Sequence, residues 1–183
     1  MNIFVLDESP SKAAQMHCNA HVVKMILESA QMLSTVHRML DGVLETRPSK
    51  SGKRMAKYWY HPTLDAQLYR AVHMNHPCTV WSRESLGNYE WHYQLFKCLS
   101  DEFTFRYNKQ HSTWVKLGTI LATPPSNIRD VGRTPFKLAM GAQPQCINTA
   151  DPIGSYRKFY MTKQARFKMD WSKRLKPDWF VKI

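Results

Sequence analysis

Residues 13–37 read AAQMHCNAHVVKMILESAQMLSTVH. Within them His17, His21, Lys24, Glu28, Gln31 and Thr35 recur at spacings of four, three, four, three and four. At about 100° per residue these six fall in a sector of about 80°, one stripe of an α-helix. Val22, Val23, Ile26, Ala30 and Leu33 lie opposite, and Cys18, Ala20, Met25, Leu27 and Met32 form the flanks. The pattern predicts a single helix from the turn-like Asp7-Glu8-Ser9-Pro10-Ser11 to the Asp41-Gly42 stop. Lys24 and Glu28 are the only charged side chains in the stretch. A solvated face normally carries more Lys, Glu and Arg, so the stripe reads as the wall of a site. The alternative is an amphipathic helix with a mildly polar outer face.

The chain has 183 residues, 43% hydrophobic and 12% aromatic. That predicts one globular domain with a sizeable core over 1–183. The sequence has no secretory signal pattern and no run of eighteen apolar residues, so the expectation is a cytoplasmic protein without a membrane partner. Cys18, Cys78, Cys98 and Cys146 are widely spaced with no C-x-x-C pair, which points to reduced thiols rather than a disulfide frame or zinc knuckle.

Net charge is +12, and it is concentrated in two places. A loop containing Arg47, Lys50, Lys53, Arg54 and Lys57 carries +5, and residues 155–183 carry +7. The body between them is close to neutral. Cations gathered in a Gly/Ser loop and an aromatic tail suit a polyanion, with double-stranded DNA the expected partner. A generally basic surface that serves solubility is the alternative.

The expected fold class is mainly α. A short extended N-terminus leads into the first long helix, and residues 42–60 follow as a basic loop. A short helix is expected near 63–72, and a second long helix runs over 79–108, antiparallel to the first. Its inner face reads Trp81, Glu84, Asn88, Trp91, Leu95, Cys98, Glu102 and Phe105, with carboxylates among aromatics. A buried carboxylate needs a partner, and Arg106, Lys24, His17 and His21 are candidates. Residues 122–150 are an irregular loop, and 152–183 form a basic, aromatic tail that begins with a helix to about 173.

His17 and His21 have the i, i+4 spacing of a metal-binding pair, with Glu28 or His76 as a further donor. The glutamate of H-E-x-x-H is missing, and the reading assigns no metal and no cofactor. There is no phosphate-binding glycine loop, no Rossmann fingerprint and no G-x-S-x-G. Amine chemistry fits better. Lys24 lies between histidines near Glu28 or Glu84, and Met1 supplies a second amine if residues 1–7 pack beside the first helix. An amine attacking a sugar C1′, with a carboxylate steering ring opening, is the chemistry of bifunctional DNA glycosylases.

The order of parts resembles the pyrimidine-dimer DNA glycosylases of the endonuclease V type from T-even bacteriophages. Ala14-Gln15-Met16-His17 with Ala20-His21 is similar to that family's first helix. His76-Pro77-Cys78-Thr79-Val80-Trp81 through Cys98-Leu99 is similar to its central helix, and Lys163-Gln164-Ala165-Arg166 with Lys176-Pro177-Asp178-Trp179-Phe180 to its closing segment. The strings His-Cys-Asn-Ala-His-Val-Val-Lys-Met and Asn-His-Pro-Cys-Thr-x-Trp are closer still to uncharacterised tailed-phage and large-virus proteins. The family resemblance implies an N-terminal amine nucleophile and a first-helix glutamate. That glutamate aligns with Lys24, and Glu28 follows one turn later. Asn2 is too large for usual methionine removal, so Met1 is expected to stay.

The combined expectation is a viral enzyme acting on a pyrimidine nucleotide in DNA, as a monomer or weak dimer. Its catalytic candidates are Met1, His17, His21, Lys24, Glu28 and Glu84, and its substrate-binding candidates His76, Trp81, Asn88 and Arg106. The DNA-gripping candidates are Lys50, Lys53, Arg54, Lys57, Arg166, Lys168, Lys173, Arg174, Lys176, Trp179 and Phe180. Modification of a thymine or hydroxymethyl-pyrimidine base is one alternative, and a non-enzymatic DNA-binding or host-interaction protein the other.

Overall fold

Ser9 and Pro10 start the first helix where the sequence places it: the Ser9 hydroxyl accepts the Lys12 amide, and Pro10 needs no hydrogen bond of its own. The computed structural model, which describes residues 1–49 and 51–181, then departs from the single long helix. Helix α1 (Pro10–Met16) ends at His17, and α2 (Asn19–Asp41) begins after Cys18. Both His17 and Cys18 are extended. The break is held by long-range bonds that periodicity does not register. The Cys18 amide donates to the Tyr160 hydroxyl at 2.9 Å, and the Asn19 amide to the Asp170 carbonyl at 2.8 Å.

Helix α2 is buried on nearly all sides in its second half, where Ser29, Ala30, Met32, Leu33, Ser34, Thr35 and Val36 are all buried. Val23, expected on the apolar face, and Leu27 on its flank are each 39% exposed. Gly42 ends the helix because the chain passes too close for a side chain: a Cβ there would sit 2.2 Å from the Arg38 carbonyl oxygen. The basic segment beyond it is a hairpin instead of a loop. Val43–Pro48 (β1) and Met55–Tyr60 (β2) pair antiparallel, with Val43 opposite Tyr60 and Pro48 opposite Met55. Exposure of most of its residues hid the alternation that a half-buried strand would show.

The expected helix at 63–72 is also absent. One turn at Leu64–Leu68 is followed by extended chain, and Arg38 holds this segment by donating to the carbonyls of Asp65, Leu68 and Tyr69 and to the Asp65 carboxylate. The second long helix is likewise two helices, α3 (Pro77–Glu84) and α4 (Leu86–Tyr107), broken at the extended Ser85. The Ser85 hydroxyl caps α4 through the Asn88 amide. Phe105, expected inside, is exposed.

Helix α5 (Ser112–Leu117) precedes a long irregular stretch, and α6 (Pro152–Met161) stops a dozen residues short of the expected end, passing into a 3-10 turn at Thr162–Ala165. The tail then folds back onto the α1–α2 break, where Trp171 donates to the Met16 carbonyl and Asn19 and Ser172 bond twice. The mainly α class therefore stands, with a two-stranded ribbon added. The core joins Val22, Ile26 and Leu33 of α2, Leu95, Phe96 and Leu99 of α4, and the N-terminal Ile3, Val5 and Leu6. Among the described residues no helix is long and apolar enough to cross a membrane.

Candidate active site

The N-terminal segment runs through the core, and its polar ends are fixed individually. Asn2 donates its side-chain amide to the Ala139 carbonyl at 2.8 Å, and its side-chain oxygen accepts the Phe4 amide at 2.8 Å. This tight turn leaves Phe4 at φ 41°, a left-handed conformation that costs a non-glycine residue about 1–3 kcal/mol. The Phe4 ring is held by His21, stacked at 4.9 Å between ring centres, and by Tyr160 edge-on at 5.0 Å.

The strained turn delivers the chain start to Glu28. The Asn2 backbone amide donates to Glu28 Oε2 at 2.9 Å, and the Met1 amine lies 3.8 Å from the same oxygen. Lys24 Nζ lies 3.3 Å from Oε1, one helical turn away. The Glu28 side chain is 11% exposed and that of Lys24 63% exposed. A nearly buried carboxylate thus sits between two amines at the floor of a cleft of about 510 Å³, whose walls include Phe159, Lys163, Arg166 and Phe167. Burial and the nearby Arg166 push the Lys163 ammonium below its usual range. Lys24, Lys163 and Arg166 make the rim cationic around the one acid.

His21 lines the same cleft, with its pKa pushed down to about 3 by burial first and then by His17, Lys24 and Lys163. It is a neutral ring at physiological pH. His17 is fully buried and does not line the cleft. Its Nδ1 donates to the Ala13 carbonyl at 2.7 Å, and burial pushes its pKa to about 4. The two ring centres are 6.4 Å apart, and among the described residues neither histidine belongs to a group of three metal-ligating side chains. His76 caps α3 by accepting the Cys78 amide, and it also bonds to the Met1 backbone. Its pKa is lowered by burial, then by the N-terminal charge and His73.

The other candidates lie elsewhere. Glu84 is half-exposed, 3.7 Å from Lys137, and does not line the Glu28 cleft. Trp81 and Asn88 are buried and fix the 134 region: Trp81 donates to the Thr134 carbonyl, and Asn88 bonds the Thr134 amide and hydroxyl. Arg106 is buried against Glu102 at 2.7 Å and also donates to Asn19 and to the Gln15 carbonyl. These three build the frame rather than the cleft.

The cationic candidates also divide. Lys53, Arg54 and Lys57 are exposed on the hairpin, and Lys50 lies outside the described residues. Arg166 is exposed at the cleft, Lys176 is exposed, and Lys168 pairs with Asp170 at 3.0 Å. Lys173 and Arg174 are already engaged: Lys173 donates to the Phe105 carbonyl, and Arg174 grips Glu102 through Nε and Nη2. Phe180 is 4% exposed against Trp171, and Trp179 is half-buried against Tyr160, so the closing aromatics pack inward instead of offering rings to bases.

Sequence reasoning missed Asn2, Phe4 and Lys163. Lys163 carried a signal, being a cation in a basic aromatic helix, but its place at the cleft depends on how the tail folds back. Comparison with protein-family models, with curated proteins and with solved structures finds no match.

Proposed function

We propose that this protein is a viral DNA-acting enzyme that breaks the base–sugar bond of a pyrimidine nucleotide by glycosylase and abasic-site lyase chemistry. The observation that carries the reading is Glu28, a nearly buried carboxylate within 4 Å of two amines at the floor of an open, cationic cleft. The amine of Met1 or Lys24 attacks C1′, and the glycosidic bond breaks as the N–C1′ bond forms. The base leaves with the bonding electron pair and takes up a proton from solvent water. Glu28 accepts the amine proton and returns it to O4′ as the sugar ring opens, which leaves an imine. Glu28, a carboxylate again once it has protonated O4′, takes the C2′ proton as the 3′ phosphate leaves with its bonding electron pair, and hydrolysis of the imine by water frees the amine. Neutral His21 and Phe4 line the cleft beside the amines, and Lys163 and Arg166 would face the phosphates.

The hairpin supports the DNA half of the proposal. A two-stranded ribbon fits the major groove, and the exposed Lys53, Arg54 and Lys57 stand where phosphates would flank it. In this reading the two long helices run antiparallel, as the bonds from Asn19 to Arg106 and from His37 to Tyr89 support. The enzyme works as a monomer or weak dimer in the cytoplasm of the host cell. Borohydride reduction with abasic-site duplex DNA tests the chemistry. A covalent protein–DNA adduct is expected, lost either on acetylation of the N-terminus or in Lys24→Ala. No adduct from the wild-type protein overturns the proposal.

A further inference from the structure

We infer that His37, Asp41 and His61 form a binding site for one divalent transition-metal ion of the zinc class. His37 and Asp41 lie one turn apart on α2, and His61 directly follows β2. One ligand atom from each gathers within 4.8 Å of the others, and the imidazole centres are 6.1 Å apart. Bonds of about 2.0–2.2 Å to a tetrahedral ion would draw these atoms together by on the order of 1 Å. Two neutral imidazoles and a carboxylate are a common donor set for such an ion, with water completing the coordination.

The surroundings already set two of the three donors. The single proton of the Tyr89 hydroxyl goes to the Leu121 carbonyl at 2.8 Å, so His37 Nε2 must donate to that hydroxyl, also at 2.8 Å. The His37 lone pair is therefore on Nδ1. A second ring N–H held by an outer partner is the usual support of a metal-bound histidine. Asp41 Oδ2 accepts the Ser126 amide at 2.7 Å, and Oδ1 accepts the Asn127 backbone amide at 2.9 Å and its side-chain amide at 3.1 Å, which orients the carboxylate and leaves a lone pair on Oδ2 for the ion. The neighbouring cation, Arg38, is neutralised by Asp65.

The independent pointer is His61, a residue 5% exposed whose Nε2 is buried without a partner. Its Nδ1 faces the Leu64 amide at 3.1 Å and the Thr63 amide at 3.4 Å. Coordination through Nε2 requires the ring proton on Nδ1, and the Thr63 and Leu64 amides then lose their contact with that atom. Thr63 is exposed and Leu64 half-buried, so water can take them. Asp41 lies thirteen residues beyond Glu28 on the same helix, about 20 Å along its axis, so the ion takes no part in the cleft. It would instead tie together the end of α2, the base of the hairpin and the 126–127 loop.

Titration of chelator-treated protein with Co²⁺, followed by Zn²⁺ displacement, tests the site. One equivalent of Co²⁺ should give the visible band of a low-symmetry complex, and Zn²⁺ should abolish it. His61→Gln and Asp41→Asn should each weaken Co²⁺ binding at least tenfold, whereas exposed His73→Ala should leave it unchanged. Zn²⁺ should raise the melting temperature of the wild type but not of His61→Gln. A wild-type protein that binds no Co²⁺ overturns the inference without reference to any variant. So does a band that survives His61→Gln but is lost in His21→Gln.

Discussion

The Met1 amine and Glu28 Oε2 are 3.8 Å apart, and the Asn2 amide holds that same oxygen at 2.9 Å. The backbone therefore orients the carboxylate beside an amine. Glu28→Gln keeps the shape and removes the base. It should lower the rate of strand cleavage by about 10²–10⁴, the usual contribution of a positioned acid–base group, with DNA affinity little changed. Single-turnover kinetics on abasic-site DNA measure this, and a loss under threefold would exclude Glu28 from proton transfer.

Asn2 is a positioning residue. Asn2→Ala removes both side-chain bonds that hold Phe4 at φ 41°. The turn should relax, and imine trapping should fall at least tenfold while the melting temperature drops by only a few degrees. Asn2→Asp, which keeps the bond to the Phe4 amide, should recover part of the trapping.

Three buried histidines outside the proposed metal site set an acid limit. Burial lowers His17 to about 4, and His21 and His92 to about 3, against 6.5 in the unfolded chain. Below pH 6.5 the unfolded state takes up protons that the folded state refuses. Stability is therefore full above that value and declines as pH falls toward 4, by about 1.4 kcal/mol per unit for each histidine. Melting curves between pH 7.5 and 5 should show the decline. His92→Asn, which can still donate to Ser82, should make it shallower, and a flat profile in the wild type would contradict the burial.

Hairpin and tail cations should behave differently. Replacing Lys53, Arg54 and Lys57 with Ala should reduce the slope of log affinity against log salt by about 0.9 for each phosphate no longer neutralised, with no change in melting temperature. Arg174→Ala should do the reverse, because that guanidinium is bound to Glu102. Glu102→Ala, which leaves buried Arg106 uncompensated, should cost about 3–5 kcal/mol. Equal salt slopes for the wild type, the hairpin triple variant and the Arg174 variant would remove the hairpin from the DNA interface.

The sequence shows local order well and long-range order poorly. The entry of the first helix near Ser9-Pro10 and the Asp41-Gly42 stop were readable because turn and stop residues act within one turn. The breaks at His17–Cys18 and Ser85 were not, since hydrophobic periodicity continues across them and the bonds that hold the first come from Tyr160 and Asp170. The hairpin was missed because its residues are mostly exposed and do not alternate. Within the cleft, Lys24 and Glu28 were legible as one turn of one helix. Their company with Met1 and Lys163 depends on tertiary folding, as does the meeting of His61 with His37. Arg174 and Phe180 misled because charge and aromaticity do not reveal whether a group is already engaged.

The cleft is lined by residues between 1 and 28, by Ala139, Ala142 and Gln143, and by residues between 159 and 167. A nascent chain emerging from the ribosome therefore carries its amine and its acid long before it has the far side of the pocket. Under the proposed function the chemistry waits for a segment synthesised more than a hundred residues later, which completes the enclosure, and a fragment truncated before it should be inert.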